Sequence, residues 1–300
     1  MDESWRAPMS RAFAVGLGCA LGDPRRSPRG AVGEKLGVRV GSSLEFMDYR
    51  PYEPGDDLRR VDWPAFARTD RLMLRLYREE VTPHVDLLVD DSASMALAET
   101  TKATATLGAA ALIAGAAESS RWSRRLYGIS TQLQANARNI AGTEIRGGNA
   151  EPAGWDWPGF GRRAVRGHLG ALTLRRRGLR VVVSDLLFAG DPESIVSRWA
   201  DGAAGLWVVQ VLAEADADPG AAGGFDGDVR LVDAEDGTLK EVRLDPSALR
   251  RYRGAFAAHM ARWSEALTRV EARLVTLTAE PWVKTWDVAP LASSGLLRVV

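Results

Sequence analysis

Three short stretches of the chain are almost wholly apolar: VDLLVD at 85–90, LRVVVS at 179–184 and LWVVQVLA at 206–213. Each has the length of a strand and is rich in valine, which predicts strands covered on both faces. Longer segments separate them. Residues 94–120 are dominated by small side chains and predict a helix that can press closely on a sheet. Helices are also expected over 161–177, 192–202 and 246–272. RRLYGIS at 124–130 predicts a further strand, with 132–138 as its candidate partner, and RLVTLTA at 273–279 a last one. VRLVDAEDGTLKEVRL at 229–244 reads as a hairpin turning at Asp236-Gly237. Apolar strands alternating with helices predict an α/β fold built on a doubly wound, mostly parallel sheet of Rossmann type.

The first eighty residues have a different pattern. Residues 1–33 read as partly helical and then loop, 36–48 alternate enough for a strand or hairpin, and Pro54-Gly55 marks a turn. Residues 72–77 alternate apolar and basic side chains, as an edge strand does. The expected division is therefore a small β-containing N-terminal extension, 1–80, and a main domain, 81–300. The apolar run AFAVGLGCALG at 12–22 follows Arg6 and Arg11, but Asp2 and Glu3 do not suit a basic leader. That run and ATATLGAAALIAGAA at 103–117 are both too short to span a bilayer, so no membrane span is expected.

Charge narrows the function classes. Thirty-nine basic and 39 acidic residues cancel, which argues against a nucleic-acid partner. Cys19 is the single cysteine, so no internal disulfide or multi-cysteine zinc site can form, and a cytoplasmic location is expected. The chemistry gathers where strands end. VDDSASM places Asp90, Ser92 and Ser94 in a D-x-S-x-S pattern, so alternate side chains can point at one spot. A carboxylate and two hydroxyls suit a hard cation such as Mg²⁺. A plain helix cap by Ser94 is the competing reading. A second apolar strand ends in Ser184-Asp185. In doubly wound sheets that same edge is where ligands bind.

Catalytic templates fit less well. Asp90 and Asp91 are adjacent rather than spaced as Asp-x-Asp, no Gly-x-Ser-x-Gly elbow surrounds Ser92 or Ser94, and no phosphate loop ends in Lys-Ser or Lys-Thr. The chain is expected not to be an enzyme. Trp155 and Trp157 sit in a Gly/Pro-rich loop, where they either anchor a partner or clamp the loop onto its own sheet. His84 has no evident partner and reads as structural. In PGDDLRRVDW, Asp56 or Asp57 can pair with Arg59, Arg60 or Arg68 while Trp63 enters a core; a docking surface is the alternative.

Together these motifs resemble von Willebrand factor A-like domains, whose metal-ion-dependent adhesion site opens with D-x-S-x-S. They resemble more narrowly the bacterial DUF58 family. That resemblance rests on RPYEPGDDLRRVDWPAFAR at 50–68, VDDSASM, VVVSDLL, and VRLVDAEDG followed by a helix carrying Tyr252. It covers roughly residues 30–280. It implies an adaptor or chaperone-like protein that works with MoxR-type AAA+ ATPases. It also implies Mg²⁺ at Asp90, Ser92, Ser94 and Asp185, bridging to a partner carboxylate. The remaining metal position, usually a threonine, falls in IRGGNAEPAGWDWPGFG, where Asn149 follows Gly147-Gly148 and its carboxamide oxygen is the candidate ligand. The alternatives are a metal-independent scaffold with a degenerate site and, third, a hydrolase.

Overall fold

The structure is a computed structural model describing residues 5–22, 44–79, 83–129, 140–161, 170–220 and 227–300. The chain divides into two compact units, Met1–Ser27 with Pro83–Val300, and Pro28–Thr82. In chain order the larger unit opens with helix α1 (Arg6–Leu17) and strand β1 (Cys19–Leu21). The smaller unit holds β2 (Leu44–Pro51), α2 (Trp63–Thr69) and β3 (Met73–Glu79). The larger unit resumes with β4 (His84–Asp90), α3 (Lys102–Ser119), β5 (Ser123–Ile129), β6 (Ala141–Glu144), β7 (Gly170–Ala171) and β8 (Leu179–Ser184). Next come α4 (Pro192–Ala200), β9 (Gly205–Leu212), α5 (Glu214–Ala217), β10 (Gly227–Val232) and β11 (Leu239–Leu244). It closes with α6 (Pro246–Arg269), β12 (Arg273–Thr278), α7 (Ala279–Thr285), α8 (Ala289–Ser293) and β13 (Leu297–Val299).

Seven strands form the central sheet in the order β12-β9-β8-β4-β5-β6-β7. The first five run parallel, and β6 and β7 are antiparallel to their neighbours. Strand alternation sorts the side chains into two cores. Val85, Leu87 and Val89 of β4, with Val181 and Val183 of β8, join α3 and α1 on one face. Leu88 and Val182 turn the other way, onto Trp199 of α4 and Trp263 of α6, whose rings stack at 5.8 Å. Each fully buried Val or Leu contributes roughly 1.5–3 kcal/mol. The apolar stretches were therefore strands with no wet face, and the mixed α/β sheet flanked by helices follows from them.

Helix α3 begins at Lys102, not near residue 94; a short 3-10 turn, Ala93–Ala96, precedes it. Glycines on both helices let α1 and α3 pack closely. A Cβ at Gly16 of α1 would stand 2.0 Å from the Leu112 carbonyl oxygen, and one at Gly115 would stand 2.3 Å from that of Phe13. Of the helix expected over 161–177, residues 162–169 lie outside the described residues; Gly170–Ala171 is a strand that pairs with β6, and no helix follows before β8. The stretches 36–43 and 132–138 likewise lie outside the described residues. Among the described residues no helix is long and apolar enough to cross a membrane.

The expected break at residue 80 leaves α1 and β1 in the N-terminal extension, whereas α1 packs on α3 and β1 pairs with β13, so these two elements stand with the larger unit. In the smaller unit the acidic signature builds local structure. Asp56 pairs with Arg50 at 2.6 Å, and Asp57 accepts the Arg59 N–H at 3.0 Å. Asp62 caps α2 by accepting the Ala65 N–H at 3.0 Å while the Tyr49 hydroxyl donates to its other oxygen. Trp63 does not enter a core: it is 53% exposed.

Candidate functional site

From β4 the chain crosses through α3 to β5 on one side, and from β8 it crosses through α4 to β9 on the other. The carboxyl ends of β4 and β8 thus bound the switch point at which sheets of this kind bind ligands. Asp90 ends β4 and is wholly buried. Its Oδ1 accepts the Ser92 N–H at 3.0 Å, and its Oδ2 accepts the Ser184 hydroxyl at 2.7 Å. Burial, then the nearby Asp185 charge, raise its pKa to about 6 against the pull of those hydrogen bonds. The Ser92 and Ser94 hydroxyls lie 3.1 Å apart. Ser94 caps nothing; its N–H donates to Glu235 Oε1 at 3.0 Å, a carboxylate brought over by the β10–β11 hairpin.

Asp185 follows β8. Its Oδ1 accepts the Leu187 N–H at 2.9 Å, and Gln210 donates to its backbone carbonyl at 2.9 Å. Leu186 beside it holds φ +61, a left-handed conformation that costs a leucine about 1–2 kcal/mol. The turn is held by the Leu186 N–H on Ser184 Oγ and by His259 Nε2, which donates to the Leu186 carbonyl at 2.6 Å. Lys102, the first residue of α3, completes the cluster. It is wholly buried, with Nζ 2.7 Å from Asp185 Oδ2 and 2.7 Å from Asp216 Oδ2. Burial opposes its charge, but the Asp185 and Asp216 charges and hydrogen bonds outweigh that and hold the ammonium above the ordinary lysine value. The Tyr252 hydroxyl donates to the Asp216 carbonyl and so fixes α5 against α6. Ser92, Ser94, Lys102, Asp185, Asp216 and Glu235 line one cavity of about 180 Å³.

The structure therefore gathers Asp90, Ser92, Ser94 and Asp185 on one rim, and does not bring Asn149 there. Strand β6 runs antiparallel to β5, so the chain returns toward the amino edge before Gly147-Gly148. Asn149 lines a different cavity, of about 760 Å³, with His84 and Ser123, the first residues of β4 and β5. What comes back to the rim is Gly161, whose N–H donates to the Asp91 carbonyl at 2.8 Å. The partner-anchor reading of Trp155 and Trp157 is also corrected. They are 2% and 0% exposed, part of the α1–α3 core, and they clamp their loop onto its own sheet.

As arranged, these residues fit a divalent cation poorly. One expected ligand is at the opposite edge, and Asp185 Oδ2 is engaged by an ammonium. Both Asp90 oxygens are taken by protein donors. The Lys102–Asp216 half of the cluster escaped sequence reading. Its one signal was composition: only four of the 39 basic residues are lysines, and one heads an alanine-rich helix.

His84 does have partners. Its Nδ1 lies 2.9 Å from Ser123 Oγ and its Nε2 lies 2.6 Å from Asp86 Oδ1. Ser, His and Asp are the residues of a hydrolase triad. Here the Ser123 N–H is spent on the Pro83 carbonyl, which Ser123 Oγ also approaches at 3.3 Å, so that N–H is not left to hold an oxyanion. The set instead satisfies the wholly buried Asp86.

The model of a family described as "Protein of unknown function DUF58" matches residues 48–265. An uncharacterised protein of Mycobacterium tuberculosis, Rv1480, is 30% identical over 274 residues, 84% of this chain and 80% of the relative. The uncharacterised protein Mb1516 of Mycobacterium bovis matches to the same extent, 30% over 274 residues. No solved structure matches.

Proposed function

Because this chain belongs to the DUF58 family, whose description names no activity, we propose its function from the rim: a non-catalytic, cytoplasmic protein-binding domain of von Willebrand A-like type. Its partner docks at Ser92, Ser94 and Asp185, and the resemblance of the motifs makes a MoxR-type AAA+ ATPase the expected partner. The observation that carries this reading is Glu235. Its carboxylate comes from 141 residues away to accept the Ser94 N–H at 3.0 Å. That is the contact an acidic side chain of a partner would make on displacing the hairpin tip. Support also comes from position, since the cavity lies at the switch point of the sheet. The docking runs through direct hydrogen bonds like that of Glu235, and the Mg²⁺ bridge at Ser92, Ser94 and Asp185 that the resemblance implies is the alternative that EDTA tests.

The test is capture of the tagged chain from its native lysate with Mg²⁺ and with EDTA, beside a Ser92→Trp variant that fills the cavity. A MoxR-type ATPase recovered by the native chain and lost with the variant supports the reading. Recovery that survives the variant places docking away from the rim. Recovery equal in EDTA selects the direct form.

A further inference from the structure

We propose that Lys102 is the resident cation of this site, standing where the metal of an adhesion-type domain would stand, so that the rim is built to work without a divalent ion. The inference deepens the reading above, taking from it that the Ser92–Ser94 loop is the working surface.

The argument begins with how poorly a lysine suits that position. Lys102 is the first residue of an α-helix, where the macrodipole is positive and disfavours a cation. It is also 0% exposed, so its charge has lost its hydration. Both effects act against it. What offsets them is a pair of carboxylates, each 2.7 Å from Nζ, delivered by two separate elements. Asp185 arrives on the strained turn after β8, and Asp216 on α5, held by Tyr252. The spacing also suits an ammonium. Both Nζ–O distances fall in the range of charge-assisted N–H···O bonds, about 2.7–2.9 Å. The cavity that holds Nζ is the one lined by Ser92, Ser94 and Asp185, the oxygens that a D-x-S-x-S metal site would use. Asp90 has both oxygens committed to Ser92 and Ser184 instead. With the cation supplied by the chain, contacts to a ligand come from the Ser94 N–H and the Ser92 and Ser94 hydroxyls, and the ligand they suit is a carboxylate, as Glu235 is.

The experiment measures metal binding by the isolated full chain and needs no partner, so failure of this inference and failure of the docking reading are distinct. Mg²⁺ and Mn²⁺ are titrated at constant ionic strength, with melting temperature and the Mn²⁺ resonance signal as readouts. The native chain is expected to show no saturable Mn²⁺ or Mg²⁺ binding up to about 10 mM, and so almost no rise in melting temperature with 1 mM Mg²⁺. Lys102→Met strands the buried Asp185 carboxylate and the partly buried Asp216 carboxylate. Its melting temperature is expected to fall by about 10 °C and to be partly restored by millimolar Mg²⁺. If that variant does not fold, Lys102→Met with Asp216→Asn removes one of the stranded charges and is expected to bind Mn²⁺ where the native chain does not. Saturable Mn²⁺ or Mg²⁺ binding by the native chain in that range overturns the proposal. So does a folded variant that gains no affinity for Mg²⁺ or Mn²⁺.

Discussion

The two edges of the central sheet both bury charge, and they do so in opposite ways. At the amino edge the charged groups satisfy one another within or beside the strands. His84 serves the buried Asp86, and the buried Arg124 reaches out to the exposed Glu118 at 2.6 Å, while the side chains of Arg125 and Glu144, 3.6 Å apart, are both exposed. At the carboxyl rim the groups come from loops and helix starts far apart in the chain, and one lysine holds two carboxylates while a third, Asp90, is pushed up to about 6. The amino edge has the larger cavity, about 760 Å³ against about 180 Å³. What separates the edges is how the charge is brought together, by residues close in sequence at the amino edge and by loops and helix starts far apart in the chain at the rim. At the rim a carboxylate is also pushed well above its ordinary pKa, a state that gathers at functional sites.

Three substitutions probe that contrast. The largest effect is expected from Asp185→Ala, which leaves Lys102 with half its counter-charge in a buried place. Breaking a buried pair in this way costs about 3–5 kcal/mol, read by urea or thermal unfolding. A loss under about 1 kcal/mol would mean that the rim is wetter than its geometry implies.

Asp90→Asn should act in the other direction. The folded-state pKa of Asp90, about 6, is above its ordinary 3.8, so the folded chain favours the protonated form. The stabilisation from that proton is complete below the ordinary value and is lost as pH rises through about 6. Above that, the ionised carboxylate costs up to about 3 kcal/mol, at 1.36 kcal/mol per pKa unit. The variant is expected to unfold at higher temperature than the native chain at pH 7–8, with the advantage vanishing toward pH 4. Unfolding curves across that range check this, and a native chain as stable as the variant at pH 8 would show that Asp90 ionises without penalty. The smallest change is expected at the other edge. Ser123→Ala removes one hydrogen bond to His84, costs about 1 kcal/mol, and leaves partner capture intact. Capture lost with Ser123→Ala would make the amino edge the working one.

The residue order alone carries much of the fold. Val-rich runs near 85, 181 and 208 became β4, β8 and β9 because a strand buried on both faces needs apolar residues at every position, a pattern that is local. The D-x-S-x-S and Ser-Asp pairs were visible for the same reason: they end those strands, and strand ends share a rim. The start of α3 was misjudged because small residues continue upstream without a break. Trp155 and Trp157 were ambiguous because a tryptophan in a Gly/Pro loop looks alike whether it faces solvent or α1.

The rest was decided by long-range contact. Lys102 meets Asp185 across 83 residues, and Glu235 reaches Ser94 across 141. Asn149 is carried to the wrong edge by the reversal of β6. Periodicity reports which face a residue takes, since that depends on neighbours in the chain. Which charge meets which depends on how crossovers and loops return to the sheet, and only the folded chain specifies that.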